Sequence, residues 1–165
     1  MKNNLLSPIL ALLLLATSCA KLPASRSEIK KKNNTHISKQ LSPFMSDGCS
    51  KWPDGTISKP DAWLKCCFVH DQHYWLGGTE AQRFNADQQL KACVKEEFTD
   101  WMSIVMYLGV RIGGGPQYQT SYRWGYGWNY DRGYIPLTQE EIDYAKTVAP
   151  KEFEDINKYI IRRTN

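Results

Sequence analysis

Six consecutive residues, Cys66-Cys67-Phe68-Val69-His70-Asp71, carry two thiols, an imidazole and a carboxylate in fewer than two helical turns. On a helix, spacings of four put Cys66, His70 and Tyr74 on one face and Cys67 with Asp71 on the neighbouring one. Asp87 and Cys93 follow on a second stretch with helical character. A histidine with one nitrogen held by a carboxylate keeps a single tautomer, and the other nitrogen can then take a proton from water. A second carboxylate beside it, Asp71, can hold a cation that polarises an ester carbonyl and stabilises the oxyanion. In such chemistry water is the nucleophile, and no catalytic serine is needed.

Those side chains need two helices to position them. Ser58-Lys59-Pro60-Asp61 reads as a helix start, and the helix runs from about Asp61 to Leu76, where Gly77-Gly78 stops it. Thr79 and Gln82 form a capping box for a second helix, from about Thr79 to Phe98. The short turn makes the two antiparallel neighbours. In that arrangement Asp87 lies opposite His70, and a Cys66–Cys93 bridge would hold it there within about 3 Å of helical rise.

A further apolar helical segment covers residues 101–112 and ends at Gly113-Gly114-Gly115-Pro116. Residues 117–136 hold seven Tyr and Trp among glycines and have no helical period. They read as a packing element or cleft rim. Thr138 and Glu141 form another capping box, and two short amphipathic helices complete the chain. Pro43 to Lys59 reads as an ordered loop. The fold class is all-α with long ordered loops.

The N-terminus reads as an address. Lys2 precedes an apolar run at residues 9–16, too short to span a bilayer, and small residues lead into Cys19. This is similar to the lipobox of bacterial lipoproteins, which implies a signal peptide over 1–18 and lipidation at Cys19. The localisation implied is an exported, membrane-anchored protein of the bacterial envelope, with plain secretion as the alternative. Residues 19–41, rich in Lys, Ser and Asn, read as a flexible tether, and the domain proper occupies 42–165. Of the chain's five cysteines, setting Cys19 aside leaves four. Cys66 and Cys67 cannot readily pair within a helix, so each bridges to Cys49 or Cys93.

CCFVHD resembles the active-site helix of secreted phospholipases A2, with its Cys-Cys-x-x-His-Asp core, and the Asp87 and Cys93 spacing resembles the second active-site helix. Ser46-Asp47-Gly48-Cys49-Ser50-Lys51-Trp52-Pro53-Asp54 is similar to the calcium loop of the small bacterial and fungal members. The resemblance covers Ser46 to Cys93. It implies two disulfide-linked antiparallel active-site helices, with bridges Cys49–Cys67 and Cys66–Cys93. It implies His70 as base and Asp87 as its orienting partner. Ca2+ would be held by Asp47, the Gly48 carbonyl and Asp71. The implied activity is calcium-dependent hydrolysis of phospholipid acyl esters at the glycerol 2-position. Tyr74 falls at a family aromatic position. Departures are the lack of the animal glycine-rich loop and His73 in place of a further cysteine. The region after Cys93 matches nothing assignable in the family.

Two other function classes suit the same residues: a non-catalytic phospholipase-like binding module, and a structural envelope lipoprotein. A zinc site through His70, His73, Asp71 or a cysteine is the alternative metal chemistry. The phospholipid or membrane surface is the expected partner. The net charge of +4 fits an anionic surface, and without arginine-rich or basic-aromatic repeats it does not argue for nucleic acid.

Overall fold

The computed structural model describes residues 24–151 and is mostly helical, with five helices and one isolated bridge pair. The expected signal peptide over 1–18, the expected lipidation at Cys19 and the expected second C-terminal helix all fall outside the described residues. Helices α1 (Arg26–Gln40), α2 (Leu64–Leu76), α3 (Glu80–Glu97), α4 (Asp100–Gly113) and α5 (Gln139–Val148) follow in order. Among the described residues no helix is long and apolar enough to cross a membrane.

Helix α2 is central because it is apolar on more than one side. Phe68 and Trp75 join a core with Phe44, Leu41 and Trp128. Cys66 and Cys67 join a second core with Trp63, Leu90, Val94 and Met106. Tyr74 packs with Ala86 and Trp124 in a third. Helix α3 packs against α2 on one side and α4 on the other, while α1 packs against α5. The disulfides are Cys49–Cys67 and Cys66–Cys93, tying the 46–54 loop and α3 to α2. Each closes a loop whose entropic contribution is about 3 kcal/mol in the chain-entropy treatment. Two bridges suit an oxidising, exported setting.

Two boundaries differ from the sequence reading. The expected tether is instead a helix over Arg26–Gln40, opened by a Ser25/Glu28 capping box. Its last turn buries Ile37, and Leu41 follows into the same core. The folded unit therefore begins before residue 42. Helix α2 starts at Leu64 rather than Asp61, because the Trp63 main-chain N–H donates to the Asp54 carbonyl and its indole to the Pro53 carbonyl. The further helical segment expected over 101–112 is α4, which follows the end of α3 at Phe98 and is capped by Thr99.

The aromatic loop 117–136 supplies what the end of α2 lacks. The last carbonyls of a helix have no partner within it. Here Gly125 N–H donates to the Tyr74 carbonyl (2.6 Å), Gly127 N–H to that of Trp75 (3.0 Å), and the Trp128 indole to that of Leu76 (2.7 Å). The Trp124 indole reaches the Gly78 carbonyl at 2.9 Å. Glycine is required at 127 because a Cβ there would lie 2.3 Å from the Trp75 ring. Gly77, at φ +73°, both turns the chain and lets Gly125 approach.

Arg132 fastens this loop to α5, with its guanidinium 4.3 Å from the centre of the Trp128 ring. Its two terminal nitrogens each donate to one oxygen of Glu141 at 2.7 Å. Burial works to raise the Glu141 carboxyl, and the Arg132 hydrogen bonds outweigh that, holding it below the ordinary range. Glu141→Gln is therefore expected to cost about 3 kcal/mol of stability at neutral pH, by leaving Arg132 buried without its anion. The parental protein gains from ionised Glu141 above its ordinary pKa of 4.5 and loses that gain as pH falls through the lower folded value. Urea unfolding from pH 7 to pH 3 checks both, since the variant should lack this acid-dependent part.

Candidate active site

The short Gly77-Gly78 turn and the Cys66–Cys93 bridge set the register of α2 against α3. In that register His70 Nε2 lies 2.8 Å from Asp87 Oδ1. Both are buried, Asp87 completely. An ionised carboxylate only accepts, so Nε2 carries the proton and Nδ1 is the acceptor. Tyr74, one turn on, donates its hydroxyl to the same Oδ1 at 2.8 Å. On the other side Arg111 Nη1 donates to Asp87 Oδ2 at 2.7 Å. Burial acts to raise the Asp87 carboxyl. Hydrogen bonds from His70 and Arg111 overcome this and hold it below its usual range. The Tyr74 phenol is pushed upward, by burial first and then by the Asp87 charge, so it remains a donor.

Behind Tyr74, the buried Arg83 satisfies the interior. It donates from Nε to the Tyr74 oxygen (3.0 Å), from Nη1 to Tyr134 (2.7 Å) and from Nη2 to the carbonyls of Val110 and Arg111 (2.8 and 2.9 Å). Neither arginine carries a sequence signal. Each stands in a helix where a cation ordinarily reads as solvated surface, and only the α3–α4 packing turns them inward.

His70, Asp71 and Tyr74 line a cleft of about 310 Å³ whose other wall is α4, through Val105, Met106 and Val110. The 48–52 loop borders it. A second hollow of about 290 Å³ shares Asp71, Ser50 and Tyr122 with the first and adds Asp47, Ser46 and Tyr126. Asp71 thus borders both. Ser46 donates to Asp71 Oδ2 at 2.6 Å, and Ser50 to Asp47 Oδ1 at 2.6 Å. The half-buried Tyr126 donates to the Met45 carbonyl at 2.6 Å. Its ionisation is pushed up by burial, then by the charges of Asp71 and Asp47. Both carboxylates and Tyr126 line this second hollow. Gly48 (φ +77°) lies between them in sequence, and the loop is pinned by the Asp54 carboxylate, which accepts from Cys49 N–H at 2.8 Å. Asp54 is thereby a loop-fixing residue.

The structure thus brings His70 to Asp87, and places Asp47, Asp71 and Tyr126 in the lining of one hollow. The thiols of Cys49, Cys66, Cys67 and Cys93 are in disulfides, and His73 is solvent-exposed on α2. The zinc arrangement with a cysteine ligand is therefore not formed. Among the described residues no three His, Cys, Asp or Glu side chains converge as a metal cluster. The set expected for calcium differs in kind, comprising two carboxylates and a main-chain carbonyl. No protein-family model, curated protein or solved structure matches this chain.

Proposed function

We propose that the chain hydrolyses acyl esters of phospholipids in the manner of a phospholipase A2, with calcium as cofactor and water as nucleophile. The observation that carries this reading is the buried His70–Asp87 pair at the wall of an apolar cleft, with Asp71 beside it. Nδ1 of His70 takes a proton from water as the oxygen attacks the acyl carbonyl carbon. The C–O bond forms, the ester oxygen departs, and the imidazolium returns its proton to that leaving alkoxide. A fatty acid and a lysophospholipid result. Asp87 stabilises the transient imidazolium and keeps the ring oriented. The oxygen donors Asp47, Asp71 and the Gly48 carbonyl suit a hard cation. When bound, calcium supplies positive charge against the carbonyl oxygen as it becomes an oxyanion.

A lipid-surface partner is supported by α4. Trp101, Ile104, Leu108 and Ile112 recur at helical spacing on its exposed side, while Met106 and Val110 of the same helix line the cleft. A contiguous exposed apolar stripe on a soluble helix marks an interaction face. Trp52 adds an exposed aromatic ring at the cleft border.

The direct test is mass-spectrometric detection of fatty acid and lysophospholipid from a labelled phospholipid, with calcium and with excess chelator. Equimolar release of both products only with calcium is expected. No release in either condition would favour the binding-module or structural readings. Undiminished release in chelator would remove calcium from the scheme.

A further inference from the structure

We propose that Arg111 is a positioning residue, which fixes the plane of the Asp87 carboxylate and so the orientation of the His70 ring. The inference rests on the hydrolytic reading above. Asp87 Oδ1 receives two donors, His70 Nε2 and the Tyr74 hydroxyl, both at 2.8 Å. Two donors on one oxygen leave rotation about Cβ–Cγ to be settled by whatever holds the other. At Oδ2 the near donor is Arg111 Nη1 at 2.7 Å, while Arg83 Nε stands at 3.9 Å and is directed to Tyr74. A charge-assisted bond of that length is stronger than a neutral one. The Asp87 carboxylate is fully buried, so the bond acts without competing water.

Arg111 is itself held in place. Its carbonyl accepts from Arg83 Nη2 at 2.9 Å, and its guanidinium lies 5.8 Å from the centre of the Phe84 ring. It belongs to α4, the helix that walls the cleft. One side chain thus couples the wall that receives substrate to the carboxylate that orients the base. The role differs from that of Arg83, whose donors go to a phenol pair and two carbonyls and whose removal would unpack the interior. The Arg111 side chain keeps 26% of its surface exposed, so a small cation from solvent can reach the space it would vacate.

The experiment uses Arg111→Ala and Arg111→Lys on a short-chain phospholipid below its micellar concentration, with and without methylguanidinium. Arg111→Ala should lose about 10²-fold in kcat with KM within about twofold, the signature of an interaction that serves the chemical step. Arg111→Lys should fall between the two, keeping charge but losing the planar fork. Methylguanidinium should restore Arg111→Ala at least about tenfold and leave His70→Gln unchanged. In parallel, the Nε2–H resonance of His70 should broaden or vanish by solvent exchange in Arg111→Ala and return with methylguanidinium. That signal reports on positioning without turnover. Parental kcat in both variants would overturn the inference. So would a folded Arg111→Ala whose activity and Nε2–H signal methylguanidinium does not restore, or an Nε2–H signal unchanged by the substitution. A parental protein without turnover whose Nε2–H signal still depends on Arg111 would reject the hydrolytic reading and keep the positional one.

Discussion

His70→Gln is expected to abolish phospholipid hydrolysis, lowering kcat by about 10⁴-fold or more, while the protein stays folded and keeps its calcium affinity. A positioned general base contributes about 10²–10⁴ in rate, and here its loss also removes the acid that protonates the leaving oxygen. Glutamine is near in volume and can still donate to Asp87 Oδ1 from its amide, so the buried carboxylate keeps a partner. Asp87→Asn should behave differently. The imidazole remains, but its Nε2–H no longer faces an anion, and a residual rate about 10²–10⁴-fold below the parent is expected. Its amide nitrogen or oxygen must also face Arg111, whose Nη1 is 2.7 Å from the present Oδ2. Asp87→Asn should therefore lose about 3 kcal/mol of stability that His70→Gln does not. Steady-state kinetics paired with urea unfolding separates the two effects. If both variants hydrolysed at the parental rate, the chemistry would have to be placed elsewhere.

The helix pair was legible because its signals are local and mutually consistent. Spacings of four gathered Cys66, His70 and Tyr74, and Thr79 with Gln82 fixed where the second helix opens, as the formed capping box bears out. A two-glycine turn left only the antiparallel arrangement, in which Asp87 meets His70. What stayed hidden depends on contacts far apart in sequence. Helix α1 carries Lys, Ser and Asn on nearly every face, and among the described residues Ile37 and the following Leu41 are its buried links to the core. Composition alone therefore reads it as tether. The aromatic loop has no period because its geometry is dictated by the carbonyls it satisfies, those of Tyr74, Trp75 and Leu76. Arg83 and Arg111 read as solvated helix cations until α3 and α4 are packed together. Their Asp87, Tyr74 and carbonyl partners are separated from them by between four and 28 positions. Ser46 was within the resembling loop, yet nothing in its spacing foretold a 2.6 Å bond to a carboxylate on α2.

Asp71→Asn is expected to lose calcium binding and hydrolysis together, without unfolding the domain. Asp71 is buried on α2 and accepts from Ser46, which in turn accepts from Gly48 N–H at 3.1 Å. The main chain at Gly48 is thus linked through one hydroxyl to the second proposed carboxylate ligand. The Cys49–Cys67 bridge fixes the same loop one helical turn before Asp71. With the loop held from both sides, an asparagine can still accept from Ser46, so the local fold should persist while a unit of negative charge is removed. Loss of one charged ligand from a two-carboxylate set should weaken calcium by more than the roughly 10–100-fold associated with supporting residues. Tyr126→Phe tests such a supporting role. It removes the 2.6 Å bond to the Met45 carbonyl, just before the loop, and should weaken calcium by about tenfold with the fold intact. Lys31→Ala, on the exposed side of α1, should change neither quantity. Calorimetric titration with calcium, then with zinc, reads the binding. Zinc should not replace calcium in turnover, because Cys49, Cys66, Cys67 and Cys93 are bridged and, among the described residues, no set of imidazoles converges. Parental calcium affinity in Asp71→Asn, or full turnover by that variant in excess chelator, would separate Asp71 from the chemistry and leave His70 acting without a bound cation.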